Sequence, residues 1–244
     1  MEPLYRQTFT IHDDAVDCFG FLKLSTLLYY AQEVAGQHCL LLGTDGDTLA
    51  QHRLFWAVTR HKVLIHRLPK LHETVTVETW PMPTTKVAYP RAMAAYDASG
   101  ALLFQSVSLW VLMDMDKRSM VLPGKSGILV EGTVRGNELQ LPHSLVPKAL
   151  ANTQNRTVTY SCLDRNGHMN NTRYLDWVAD LPGSRFHSDH KAKELLISYA
   201  NEARENQMIT MDWALSGDGI LQVDAHSTQD ETNQRVFCAQ VLFD

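Results

Sequence analysis

The chain has 244 residues, 45% hydrophobic and 20% charged, the balance of a globular protein with core enough for one or two domains. A formal net charge of −5 excludes a general nucleic-acid binder, whose footprint is basic. Four cysteines without a Cys-x-x-Cys pair (Cys18, Cys39, Cys162, Cys238) exclude the familiar zinc patterns and suit reduced thiols, and no signal-peptide core or run of 18 apolar residues occurs, so a soluble, cytoplasmic protein is expected.

Residues 6–11 read as a short strand, with Phe9 and Ile11 on one face. Residues 23–42 predict a helix, because Leu24, Leu27, Leu28, Ala31, Val34, Ala35 and Leu42 fall at helical spacing and Gly43 suits the cap. From residue 54 the period changes to that of strands, expected over 55–65, 74–80, 88–96 and 102–113, with a turn at Asp97-Ala98-Ser99-Gly100. Residues 115–150 hold Pro123-Gly124, Gly132, Gly136, Pro142 and Pro147, the composition of a long surface connector. A second series follows: a strand near 156–160, a helix near 171–181 stopped by Pro182-Gly183, then strands over 194–202, 208–216, 220–227 and 236–243.

The second series repeats the first. Asp17-Cys18-Phe19-Gly20-Phe21-Leu22 matches Asp164-Arg165-Asn166-Gly167-His168-Met169 at an offset of 147. Trp80 and Trp213, Asp97 and Asp230, and Phe104 and Phe237 match at a shared offset of 133. Two copies of one unit are therefore expected in a single chain.

The stretch from Leu163 to Tyr174 concentrates polar chemistry: a carboxylate, an imidazole and three carboxamides directly before a helix. Asn166-Gly167 signals a turn, and Asn170 or Asn171 is a fitting N-cap. On spacing alone, ordinary turn chemistry explains these residues slightly better. Other motifs fail sooner. Gly124-Lys125-Ser126 has Ser119 where a phosphate-binding loop needs glycine, and His72-Glu73 is followed by Thr76 where a zinc protease needs histidine. There is no Gly-x-Ser-x-Gly elbow. His187, Asp189 and His190 read as a solvated loop.

Asp-x-Asn-x-His-x-Asn-Asn-x-x-Tyr, spanning Asp164 to Tyr174, resembles the signature of the acyl-acyl-carrier-protein thioesterases of plants and bacteria. That family's downstream Glu-Tyr-x-x-Glu-Cys stretch is represented by Ser198-Tyr199-Ala200-Asn201-Glu202-Ala203. The resemblance implies a catalytic set of Asp164, Asn166, His168 and Glu202. Ala203 replaces the family's cysteine and argues against a thiol nucleophile. It implies no cofactor and no metal. Helix-then-strands, twice, is the pattern of two fused hotdog units, an α+β fold in which each sheet wraps a long helix. The implied organisation is a non-catalytic unit over 1–122 with an acyl-chain pocket, a connector over 123–150 and a catalytic unit over 151–244.

The implied activity is hydrolysis of fatty acyl-acyl carrier protein to free fatty acid and holo carrier protein, in fatty acid biosynthesis. Rival readings are an acyl-CoA thioesterase, a hotdog hydro-lyase acting on an acyl thioester, and a non-catalytic acyl-binding module. The expected partner is an acidic acyl carrier protein, met by Arg60, Lys62, Arg67 and Lys70 in one copy or Arg173, Arg185, Lys191 and Lys193 in the other; a homodimer is left open. In the first copy Phe19 and Phe21 stand for Asn166 and His168, and Pro69 stands for Glu202 at the offset of 133.

Overall fold

Apolar residues at every third or fourth position of 24–42 drive the longest helix, α1 (Leu24–Leu42), which buries Leu27, Leu28, Ala31, Val34 and Ala35. Gly43, at φ 65°, ends it: the Gly43 N–H donates to the Leu40 carbonyl at 3.2 Å and the Thr44 N–H to the Cys39 carbonyl at 2.9 Å. This computed structural model describes residues 3–146, 150–227 and 233–244. Pro147 and Asp230 of the sequence argument lie outside the described residues. The chain divides into two units, Met1–Leu22 with Thr26–Pro142, and Lys23–Ser25 with His143–Asp244.

In the first unit, five antiparallel strands form a sheet: β1 (Tyr5–Thr10), β2 (Leu54–Ile65), β3 (Thr74–Pro81), β4 (Tyr89–Tyr96) and β5 (Leu102–Asp114), in the order β1-β3-β4-β5-β2. Helix α1 lies on this sheet, with the Tyr30 ring stacked on Phe9 of β1 at 4.2 Å. A short helix, α2 (Gly46–Gln51), was not expected; Asp45 caps it by accepting the Asp47 and Thr48 N–H groups. After β5 come β6 (Met120–Val121), which pairs with it, and α3 (Pro123–Ser126).

The connector is less of a surface loop than its prolines and glycines suggest. Ile128 and Val130 pack on a cluster of Leu49, Leu54, Tyr89 and Leu112, and Leu139 packs on Trp80, Ala92, Ala94 and Val107. Arg135 pairs with the buried Glu78 at 2.7 Å and lays its guanidinium over the Trp80 ring, whose indole N–H donates to Glu138. A Cβ at Gly132 would fall 2.3 Å from the Pro83 nitrogen, so glycine is needed where this segment crosses.

The second unit has the same plan in fewer residues. Its strands are β7 (Asn152–Thr157), β8 (Ala192–Tyr199), β9 (Met208–Leu215), β10 (Ile220–Ser227) and β11 (Gln234–Phe243), in the order β7-β9-β10-β11-β8. The helical segment is cut to α4 (Tyr174–Asp180) and α5 (Ser184–Asp189), separated at Gly183, φ 77°. Strand β7 begins at Asn152, ahead of the expected 156, because its polar sequence offers no apolar alternation to read. Strand β8 ends at Tyr199, so Glu202 stands in the following loop.

Strand register locates the repeat. Tyr5 pairs with Thr79 and Asn152 with Trp213, so Trp213 is the counterpart of Thr79, one residue from the expected match with Trp80. Phe104 and Phe237 do correspond: each is fully buried, each pairs with an alanine (Ala95, Ala225), and in both hairpins the register shifts immediately beyond that alanine. Among the described residues no helix is long and apolar enough to cross a membrane.

Candidate active site

Asp164 builds the loop that carries His168. Its Oδ1 accepts the Asn166 N–H at 2.8 Å and the His168 N–H at 3.2 Å. The Asp164 N–H donates to the His168 carbonyl at 2.7 Å, and the Gly167 N–H closes the turn on the Asp164 carbonyl at 3.0 Å. Gly167 stands at φ 75°, which explains a glycine there.

The loop is tied to the chain beyond β8. The Met169 N–H donates to the Ala203 carbonyl at 2.8 Å, and His168 and Arg204 form an antiparallel bridge. Bridged residues project to the same side, and so do residues two apart on an extended chain. That geometry brings Glu202 across to the imidazole, with His168 Nε2 3.2 Å from Glu202 Oε2. The His168 side chain is 14% exposed and that of Glu202 39%, so a shielded ring meets a carboxylate that reaches solvent.

All four residues singled out in the sequence thus fall on two facing segments. Their relations differ. Glu202 touches the His168 ring, Asp164 is engaged by backbone N–H groups, and Asn166 is exposed at the tip of the turn. Asn170 caps the turn leading into α4 rather than the helix itself, its Oδ1 accepting the Thr172 N–H at 2.9 Å and hydroxyl at 2.8 Å.

Two tyrosines stand behind this ribbon. Tyr174 is buried against Phe237 at 4.8 Å and Tyr199 at 5.8 Å between centroids. Burial pushes the Tyr174 hydroxyl well above the usual phenol range against a hydrogen bond from the Ala203 backbone, and the Glu202 and Asp164 carboxylates push it further. Burial also holds Tyr199 well above that range, and its hydroxyl donates to the Asn171 carbonyl at 2.9 Å. Sequence reasoning gave these phenols no role; the available signal was that Tyr174 closes one of the two stretches that carry the resemblance and Tyr199 stands in the other.

The first unit holds the same loop with other side chains. Asp17 Oδ1 accepts the Phe19 and Phe21 N–H groups at 2.9 Å each, and the Asp17 N–H donates to the Phe21 carbonyl at 2.8 Å. Gly20 stands at φ 78°, and Phe21 bridges Lys70 as His168 bridges Arg204. The Leu22 N–H donates to the Pro69 carbonyl at 2.8 Å, in the place of Met169 and Ala203. Pro69 is thus the counterpart of Ala203, and the buried Leu68, rather than Pro69, that of Glu202.

Of the basic residues considered for a partner, Arg67 is engaged by Glu73 and Asp97, Arg173 by Asp176, and Lys193 by Asp244. Lys70 lies over the Phe21 ring at 5.2 Å.

Comparison with known proteins places these features. Residues 2–122 match the model of the acyl-ACP thioesterase N-terminal domain, and residues 147–241 that of the C-terminal domain. Over 223 residues the chain is 23% identical to a chloroplastic palmitoyl-acyl carrier protein thioesterase of Gossypium hirsutum, covering 84% of this chain and 54% of the relative. Over 230 residues it is 26% identical to a chloroplastic dodecanoyl-[acyl-carrier-protein] hydrolase of Cinnamomum camphora, covering 88% and 60%. The chain therefore spans only a little over half the length of these relatives. Among solved structures, an acyl-ACP thioesterase from Bacteroides thetaiotaomicron superposes with a TM-score of 0.84 at 19% identity, covering 99% and 98% of the two chains. The 12:0-ACP thioesterase from Umbellularia californica does so with 0.84 at 22%, covering 100% and 98%. The α+β hotdog-type fold is shared with both.

Proposed function

Since this chain belongs to the acyl-ACP thioesterase family, we propose that it hydrolyses fatty acyl-acyl carrier protein to free fatty acid and holo carrier protein, as a step of fatty acid biosynthesis. The observation that carries this reading is the 3.2 Å approach of His168 Nε2 to Glu202 Oε2 on the ribbon shaped by Asp164. Thioester hydrolysis needs an activated water, a donor for the oxyanion and a proton for the leaving thiolate, the last being the least demanding because thiolates leave readily. Glu202 orients the imidazole, and the His168–Glu202 pair takes the proton of the attacking water. Asn166, exposed at the turn tip, is placed to donate to the oxyanion or to hold that water. Asp164 fixes the loop through its two backbone N–H bonds, and Ala203 leaves no thiol nucleophile beside Glu202.

The first unit carries no chemistry in this account. Phe19, Phe21 and Leu68 stand where the second unit has Asn166, His168 and Glu202, and none of the three can move a proton. Its role is to shape the pocket for the acyl chain. The four cysteines are free thiols, which suits a cytoplasmic setting. The test is incubation with acyl carrier proteins bearing short, medium and long chains, reading thiol and fatty acid together. Release of both in equal amounts is expected. Hydration of an enoyl thioester without thiol release would assign the site to a hydro-lyase instead.

A further inference from the structure

At the offset of 147 that relates the two loops, the copies answer each other along the buried helix face: Leu27, Leu28, Tyr30, Ala31 and Val34 of α1 against Tyr174, Leu175, Trp177, Val178 and Leu181. By strand register, Ile65 answers Tyr199 at the strand ends facing Phe104 and Phe237. At two of these positions, then, the first unit has an aliphatic side chain and the second a tyrosine: Leu27 against the buried Tyr174, and Ile65 against the half-buried Tyr199.

Packing does not require those hydroxyls, since leucine and isoleucine fill the corresponding places. Burying a hydroxyl is costly unless it finds a partner. The Tyr199 hydroxyl finds one in a backbone carbonyl of the segment that holds His168. It donates to the carbonyl of Asn171, three residues beyond His168, at 2.9 Å, and the Tyr174 ring packs on Tyr199. The two rings lie 5.8 Å apart and Tyr174 is braced on Phe237, so the phenols form one rigid block.

We infer that Tyr199, with Tyr174 packed on it, is a positioning residue: its hydroxyl ties the strand end that leads to Glu202 to the segment that holds His168, and so sets the approach of Glu202 to His168. The inference rests on the hydrolytic reading of that pair. The first unit, with no acid–base pair to hold, has neither hydroxyl. A clamp of this kind acts on the turnover step: slight loosening of a catalytic pair lowers kcat while leaving the acyl-binding surface intact.

The test compares Tyr174→Phe, Tyr199→Phe and a control, Tyr30→Phe, which removes a buried-ring hydroxyl in the first unit. Tyr199→Phe should lower kcat about tenfold with KM changed less than about twofold, Tyr174→Phe should lower it by less, and the control should leave kcat unchanged. The His168 ring resonances, followed by NMR in the unliganded protein, should shift in Tyr174→Phe and Tyr199→Phe and stay put in Tyr30→Phe. Unchanged ring resonances and unchanged kcat in both variants would overturn the clamp. So would equal losses in all three variants, which would mark a general effect of buried hydroxyls. If the wild type released no thiol from any acyl carrier protein, the hydrolytic reading would fall, while the NMR comparison would still decide whether the phenols hold the pair.

Discussion

The loops at Asp17–Leu22 and Asp164–Met169 share a backbone and almost nothing else. In both, an aspartate accepts two N–H groups, a glycine takes positive φ, and the last residue of the loop is tied to a second segment at 2.8 Å. Only the side chains projecting from that scaffold differ: Phe19, Phe21 and Leu68 in one, Asn166, His168 and Glu202 in the other. Aspartate and glycine are therefore the shape of the loop, and the chemistry is a separate layer set on it.

A second contrast runs in the opposite direction. Across β4, β5 and β2 the paired residues Arg91, Ser108 and His61 make a buried polar row, whereas β10, β11 and β8 have Leu221, Val241 and Leu195. Arg91 is met by His38 at 3.1 Å, Thr79 at 3.4 Å and the Cys39 sulfur at 3.6 Å. At these three positions the unit with apolar residues on its loop is polar, and the unit with polar residues on its loop is apolar.

The largest effect that could break the first contrast is catalytic. His168→Ala and Glu202→Ala should each lower turnover by about 100-fold or more, while Phe21→Ala leaves it within a few-fold. Thiol release at saturating substrate measures both, with circular dichroism confirming the fold.

The polar row is tested through pH. Burial pushes His61 down to about 4. A free imidazole titrates near 6.5, so above that value both folded and unfolded states are neutral there and stability is unaffected. As pH falls from about 6.5 towards about 4, the unfolded chain takes up a proton that the folded one refuses, and about 2 kcal/mol should be lost by pH 5. His61→Leu, the residue of the second unit, should flatten that slope in urea unfolding at pH 7 and pH 5. An identical slope would remove His61 from the account.

The smallest effect separates shape from chemistry. Asp17→Ala and Asp164→Ala should each cost about 1–2 kcal/mol of stability, the scale of lost backbone caps. Only Asp164→Ala should also lower kcat. Equal kcat losses would mean that the first loop works in turnover as well.

Much of this was legible in the sequence. Helix α1 announced itself by period and by Gly43, and the doubled Asp-x-x-Gly marked both loops. Insertions hid the rest. The offset is 147 from Tyr5 to Asn152 but 134 from Thr74 to Met208, because α1 and α2 are replaced by the shorter α4 and α5. The offset of 133, which holds for Phe104 and Phe237, is 134 at β3 and at Leu68, so carrying it there puts Trp213 against Trp80 and Pro69 against Glu202, each one residue out. Since faces alternate along a strand, one residue is enough to put a side chain on the wrong side. Glu202 was joined to His168 by the family resemblance alone, because an exposed loop carboxylate becomes informative in itself only once the bridge between the two segments is seen.

The central claim is that one chain carries one working site. Binding of a non-hydrolysable thioether analogue of the acyl carrier protein substrate, titrated calorimetrically, tests it most directly. One equivalent per chain, displaced by substrate and bound undiminished by Phe21→Ala, is the predicted result. Two equivalents per chain, both displaced by substrate, would contradict it.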